Sequence, residues 1–183
     1  MKRLDYDLPA IVLHWLVAIG VLALFGLGLW MTDLDYYDPW YNKAPDLHRS
    51  IGVCVFVAMV VRLGWRLIRG TPAPVPGHGV LERRISAVVH RGFYLLVPLT
   101  AISGYLMSTA DGRGVWVFDL IEVPATLTSI DNQEDLAGAI HWYLVLVIVG
   151  MAVLHALAAL KHHFWDRDRT LTRMLGIRKE EKS

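Results

Sequence analysis

Four stretches of this chain, residues 8–31, 46–68, 85–108 and 136–160, each approach the roughly 20 mainly apolar residues that carry a helix across a bilayer. Hydrocarbon offers no water to peptide groups, so segments of this length must satisfy their own backbone hydrogen bonds as α-helices. The predicted fold is all-α: an integral membrane four-helix bundle, one domain over residues 1–183. A 55% hydrophobic composition is too apolar for an ordinary soluble domain, and 183 residues are too few for a large transporter.

Charge orients the bundle. The N-terminus, the stretch 62–91 and the tail from Lys161 carry 15 of the 18 Lys and Arg, against 7 acids. The connections 32–49 and 110–135 hold only Lys43, Arg49 and Arg113, against 10 acids. The positive-inside rule then predicts both termini in the cytoplasm and both acidic connections outside. Lys2 and Arg3 precede the first apolar stretch as in a secretory signal. No small-residue cleavage site follows, and the reading is an uncleaved first helix. The lone Cys54 forms no disulfide within the chain, and without C-x-x-C-H any haem is expected to be bound non-covalently.

The connections differ in kind. Residues 33–41, with acids, a proline and an aromatic cluster, have the composition of an outer interfacial loop. Residues 71–79 form a proline-rich extended linker in which His78 is expected to be solvated. The second outer connection is long enough to fold back over the bundle mouth. The tail 161–183, with Phe164, Trp165, Leu171, Met174 and Leu175 among basic residues, fits an amphipathic helix on the inner leaflet.

Histidine spacing carries the chemistry. His141 and His155 are 14 residues apart in the fourth stretch, about 40° short of four turns, so both imidazoles leave one helix face about 21 Å apart along the axis. Ionisable groups at membrane depth are costly and mark functional pathways. His14 is level with His155 near the cytoplasmic side, and His48 is level with His141 near the outer side. Two opposed pairs at two depths are what two bis-histidine haems need, an arrangement suited to electron transfer rather than oxygen binding. Zinc or a proton path is the rival chemistry, but these sites lack the Cys or carboxylates of typical metal centres. Arg62 follows His48 by the same 14 residues and is expected to face the inner site, where a guanidinium suits a propionate or a quinone. Gly52, one turn after His48, allows a flat macrocycle close approach. His90 is also level with His14 and His155, and spacing alone does not choose between His14 and His90. His162 and His163 lie just past the inner end of the fourth helix, in reach of a quinone or of headgroups.

Together, His14-Trp15-Leu16, His48-Arg49-Ser50-Ile51-Gly52, Val60-Val61-Arg62-Leu63-Gly64-Trp65-Arg66, His90 with Tyr94 and Gly104, His141-Trp142, His155 and His162-His163-Phe164-Trp165 resemble the bacterial cytochrome b561 family over nearly the whole chain. The resemblance implies a four-helix bundle with two haem b groups, His14 with His155 at the inner iron and His48 with His141 at the outer. It thereby favours His14 over His90. Arg49, Gly52 and Arg62 join the haem-binding set, and Arg62, Arg66 and His162 line the quinone end. Some members are superoxide oxidases, which pass an electron from superoxide outside the membrane to ubiquinone. The expected partners are membrane lipid, a quinone, and superoxide or a periplasmic redox protein, with no nucleic acid. The rival is an electron-transfer subunit or docking module for a dehydrogenase or periplasmic cytochrome, without a substrate of its own.

The outer charge is at odds with one part of this. Three bases against 10 acids leave a net of minus 7, whereas an enzyme that steers an anion presents a positive field. Screening limits the acids' reach to about 8 Å, so the sequence leaves a local funnel around Lys43, Arg49 and Arg113 as the route for superoxide. An acidic face suits a basic protein partner instead.

Overall fold

In the computed structural model, which describes residues 4–177, the four apolar stretches are four long helices: α1 (Leu8–Thr32), α2 (Lys43–Arg69), α3 (Val80–Ser108) and α4 (Gln133–Phe164). Each is long and apolar enough to cross a membrane. A five-residue helix, α5 (Thr170–Met174), follows. Local chemistry sets the ends. Proline opens α1, where its missing N–H costs nothing. Gly70, at φ 68°, closes α2 by donating its N–H to the Arg66 carbonyl. The Glu82 carboxylate accepts the Gly79 N–H at 2.9 Å and places negative charge at the start of α3.

The helices outrun their apolar stretches. α2 begins at Lys43 rather than 46, α3 at Val80 rather than 85, and α4 spans Gln133–Phe164 rather than 136–160. Hydropathy marks the hydrocarbon, while backbone hydrogen bonding continues through the headgroup layers, which widen the bilayer to about 40–45 Å.

Neighbours α1–α2, α2–α3 and α3–α4 pack closely, and α1 meets α4 sparingly. The core is one apolar cluster, built from Val17 of α1, Val55, Ala58 and Met59 of α2, Val97 of α3 and Ile148 of α4. Leu8, Leu16, Ile19, Leu22 and Leu154 are among the many large apolar side chains left exposed on the perimeter, as expected of a surface solvated by lipid.

The start of α1 and the end of α4 lie on one side of the bundle, hereafter proximal; the α1–α2 and α3–α4 connections lie on the other, distal. The distal connection after α3 contains a feature the sequence reading missed, an antiparallel hairpin of β1 (Val115–Val117) and β2 (Ile121–Val123). Phe118 and Asp119 both have positive φ, the twist a tight hairpin turn requires. Three-residue strands are too short to show alternation in sequence. Ser50, 2% exposed, ties the hairpin to α2: its hydroxyl donates to the Asp46 carbonyl at 2.8 Å and accepts the Phe118 N–H at 2.9 Å.

Proximally, the tail differs from the single amphipathic helix the sequence suggested. Lys161–Phe164 extend α4, and α5 folds back on the bundle; residues 178–183 lie outside the described residues. Trp15 Nε1 donates to the Met174 carbonyl at 2.9 Å, Arg173 is buried and donates to the Ala73 carbonyl at 3.0 Å, and Arg169 pairs with Asp5 at 3.4 Å.

Ser50→Ala is expected to cost about 0.5–1.5 kcal/mol locally, because the Phe118 N–H loses its acceptor. Hydrogen exchange at the Phe118 amide reads this directly. Unchanged exchange would mean that the hairpin is held by other contacts.

Candidate functional site

The 14-residue interval recurs on every spanning helix: His14 and Gly28 on α1, His48 and Arg62 on α2, His90 and Gly104 on α3, His141 and His155 on α4. Because α1 and α3 run opposite to α2 and α4, these positions fall into two sets of four. His14, Arg62, His90 and His155 meet at the proximal level. Gly28, His48, Gly104 and His141 meet at the distal level, and the apolar layer lies between them.

Within each level two imidazoles face one another. The His14 and His155 ring centres stand 6.4 Å apart with planes inclined at 69°. His48 and His141 stand 6.4 Å apart at 71°. A metal–imidazole bond is about 2.0–2.1 Å and the ring centre lies roughly 1.1 Å beyond the nitrogen, so two imidazoles on opposite sides of one ion are about 6.3 Å apart. Both pairs already have that separation, with no direct hydrogen bond to hold them there.

The distal level shows how its rings are prepared. His141 Nδ1 donates to the Thr100 carbonyl at 2.9 Å, which leaves Nε2 as the nitrogen with a free lone pair. His48 Nδ1 is buried without a hydrogen-bond partner. Glycines make room for both rings: a Cβ at Gly104 would come within 3.0 Å of the His141 ring, and one at Gly28 within 3.3 Å of His48. A Cβ built at Gly52 meets nothing within 4 Å, so space is left beside His48. Gly28 was not singled out from sequence; its 14-residue distance from His14 was the available signal. Arg49 is turned to Asp46, with which it forms a hydrogen-bonded ion pair one turn back on α2.

The proximal level is more crowded. Arg62 Nη2 donates to His14 Nδ1 at 3.0 Å. A ligating Nε2 requires the proton on Nδ1, so metal binding at His14 obliges Arg62 to turn to another acceptor. A carboxylate such as a haem propionate is the natural one. His90 lies 5.4 Å from the His155 ring, and its Nδ1 donates to the Ser86 carbonyl at 2.8 Å, one turn back on its own helix. It therefore flanks the His14–His155 pair. Arg62 and Arg66 both stand over the Tyr94 ring, at 5.4 and 5.1 Å. His162 belongs to a different group: its contacts are with His78, Asp166 and Asp168. His78 is only 18% exposed, which corrects the expectation that it is solvated; the linker folds it against α4 and the tail.

Electrostatics on the distal face also corrects an expectation. Of the cations assigned to a local funnel, Arg49 is paired with Asp46, and Arg113 with Asp111 at 2.6 Å. Hydrogen bonds from the Arg113 side chain and backbone hold the Asp111 carboxyl below the usual carboxylate range. The two arginines are thus neutralised by their own segments.

Residues 5–176 match the family model of prokaryotic cytochrome b561. The chain is 47% identical over 171 residues to cytochrome b561 homolog 2 of Escherichia coli (strain K12), covering 93% of this chain and 91% of that protein. It is 32% identical to the probable superoxide oxidase CybB of Yersinia pestis, covering 93% and 95%. It is 29% identical to cytochrome b562 of Cereibacter sphaeroides, covering 94% and 96%.

If the facing rings are ligand pairs, His141→Ala and His155→Ala are each expected to halve haem content, and each to remove a different component of the reduced spectrum. Gly104→Leu should reproduce the His141→Ala spectrum, because the added side chain occupies the place of the ring. Pyridine haemochrome assay checks both. A Gly104→Leu protein with full haem content would show that the ring can move aside.

Proposed function

The chain belongs to the prokaryotic cytochrome b561 family of haem b electron-transfer membrane proteins, and on that premise we propose that it carries electrons across the bilayer between a donor at the distal face and a quinone at the proximal face. The observation that carries this reading is the pair of equal 6.4 Å imidazole separations at two depths of one bundle. His14 with His155 and His48 with His141 would each hold a haem, which would supply outer-sphere electron transfer.

The chain's own residues do the rest. Thr100 fixes the His141 ring by accepting its Nδ1 proton. Gly28, Gly52 and Gly104 keep the distal level open to a flat ligand. Arg62, released from His14, offers a guanidinium to a propionate, and Arg66 beside it over Tyr94 presents a cation toward the quinone end. His162 completes that end as a hydrogen-bond donor. The basic proximal segments and acidic distal ones support cytoplasmic termini.

The proposed specific activity is superoxide:ubiquinone oxidoreduction, supported by the likeness to the probable superoxide oxidase. A superoxide anion must reach the distal level without long-range attraction, since 10 acids face it and both distal arginines are paired. The same observation favours a second reading, in which a basic periplasmic redox protein docks on the distal face and this chain is its membrane partner.

Stopped-flow mixing of the oxidised protein with superoxide distinguishes the two. Haem reduction faster than spontaneous dismutation is expected for an oxidase; none, together with a stoichiometric redox protein retained in mild detergent, selects the second reading. His162→Ala is expected to slow quinone reduction with the haem spectrum intact. Unchanged quinone kinetics would confine the quinone to the Arg62, Tyr94 and Arg66 region.

A further inference from the structure

The proline-rich linker ends on His78, where it meets the end of α4 and the segment just after it, both remote from the linker in sequence. His78 Nε2 lies 2.6 Å from Asp168 Oδ2, and the His78 ring stacks on His162 with centres 4.5 Å apart and planes inclined at 31°. His162 Nδ1 is 3.4 Å from the same Asp168 oxygen and 2.7 Å from Asp166 Oδ2. One ligand atom from each of His78, His162 and Asp168 lies within 4.8 Å of the other two. These three side chains are 18, 15 and 12% exposed, so the group is sheltered yet reachable from the aqueous side.

Two neighbouring imidazoles beside one carboxylate offer a bound cation a lone pair from each ring and the negative charge of the carboxylate. With bonds of about 2.0–2.1 Å, the edge of a tetrahedral site is roughly 3.3–3.4 Å. The His162–Asp168 separation of 3.4 Å already has that value; the shorter His78–Asp168 contact must open slightly. Two nitrogens and one carboxylate oxygen suit a borderline ion such as Zn2+, whereas Mg2+ and Ca2+ prefer oxygen-only sets. Asp166 is bonded to the same His162 Nδ1 and to Lys161, each at 2.7 Å, and it keeps Lys161 as its partner when that nitrogen turns its lone pair to a metal.

We propose that His78, His162 and Asp168 form a zinc-type divalent metal site, separate from the two imidazole pairs within the bundle. Three protein ligands leave a fourth position for water. The metal clasps the α2–α3 linker to the end of α4 and to the segment before α5, and it withdraws His162 from hydrogen bonding to a quinone. The site itself does not depend on the electron-transfer reading, because its primary readout is bound metal.

The test uses tag-free, haem-loaded protein in detergent, stripped with EDTA and dialysed against Zn2+, with metal measured by plasma mass spectrometry. One tightly held zinc per chain is expected. H78Q and D168N should each weaken it by at least the roughly 10- to 100-fold that loss of an outer partner costs. H163Q should leave it unchanged. In parallel, Zn2+ should slow proteolysis within residues 71–79 of the unaltered protein. No zinc bound, equal binding by the H78Q/D168N double variant, or a linker cut equally fast with and without Zn2+ would each overturn the proposal; the last needs no variant to fold.

Discussion

The bundle depends on holding polar rings at fixed depth in a medium that offers them no water. An imidazole in hydrocarbon needs a partner for each nitrogen or a reason to lack one. At the distal level the Thr100 carbonyl satisfies one nitrogen of His141, while His48 keeps a buried nitrogen without a partner. The opposed rings on α2 and α4 stand at a spacing that suits a metal between them better than a hydrogen bond. At the proximal level Arg62 and Ser86 occupy the corresponding roles for His14 and His90.

The layer between the levels matters as much as the levels. Its six buried members are Val17, Val55, Ala58, Met59, Val97 and Ile148, none of which carries a group that passes a proton. Close-packed aliphatic side chains exclude water, and with it ions. An electron carrier in a membrane must conduct charge of one kind only, and this sequence of ring pair, apolar layer and ring pair provides that separation.

The two faces then assign different tasks to charge. Distally, Arg49 and Arg113 are spent on neighbouring aspartates, so the acidic character of that face goes uncorrected. Such a face gives an anion no long-range attraction and favours a partner that carries positive charge. Proximally, ion pairs such as Arg169 with Asp5 and His78 with Asp168 knit the N-terminal segment, linker and tail together. The proximal face is thus built from parts far apart in the chain.

Much of this was legible in the sequence. Apolar length fixed four helices, because a lipid-crossing backbone has no alternative, and the 14-residue intervals fixed which residues share a level, because helical rise and twist are constants. His14, His48, His141 and His155 could be placed by that arithmetic alone, although choosing His14 over His90 could not. Tertiary structure decided what depends on neighbours from other helices: that Gly28 and Gly104 are seats for rings, that Arg62 reaches His14, that Arg49 turns to Asp46, and that His78 leaves solvent for Asp168. Periodicity along one helix gives depth and face, but it contains no information on which side chain stands opposite, since that is set by how separate helices and loops pack.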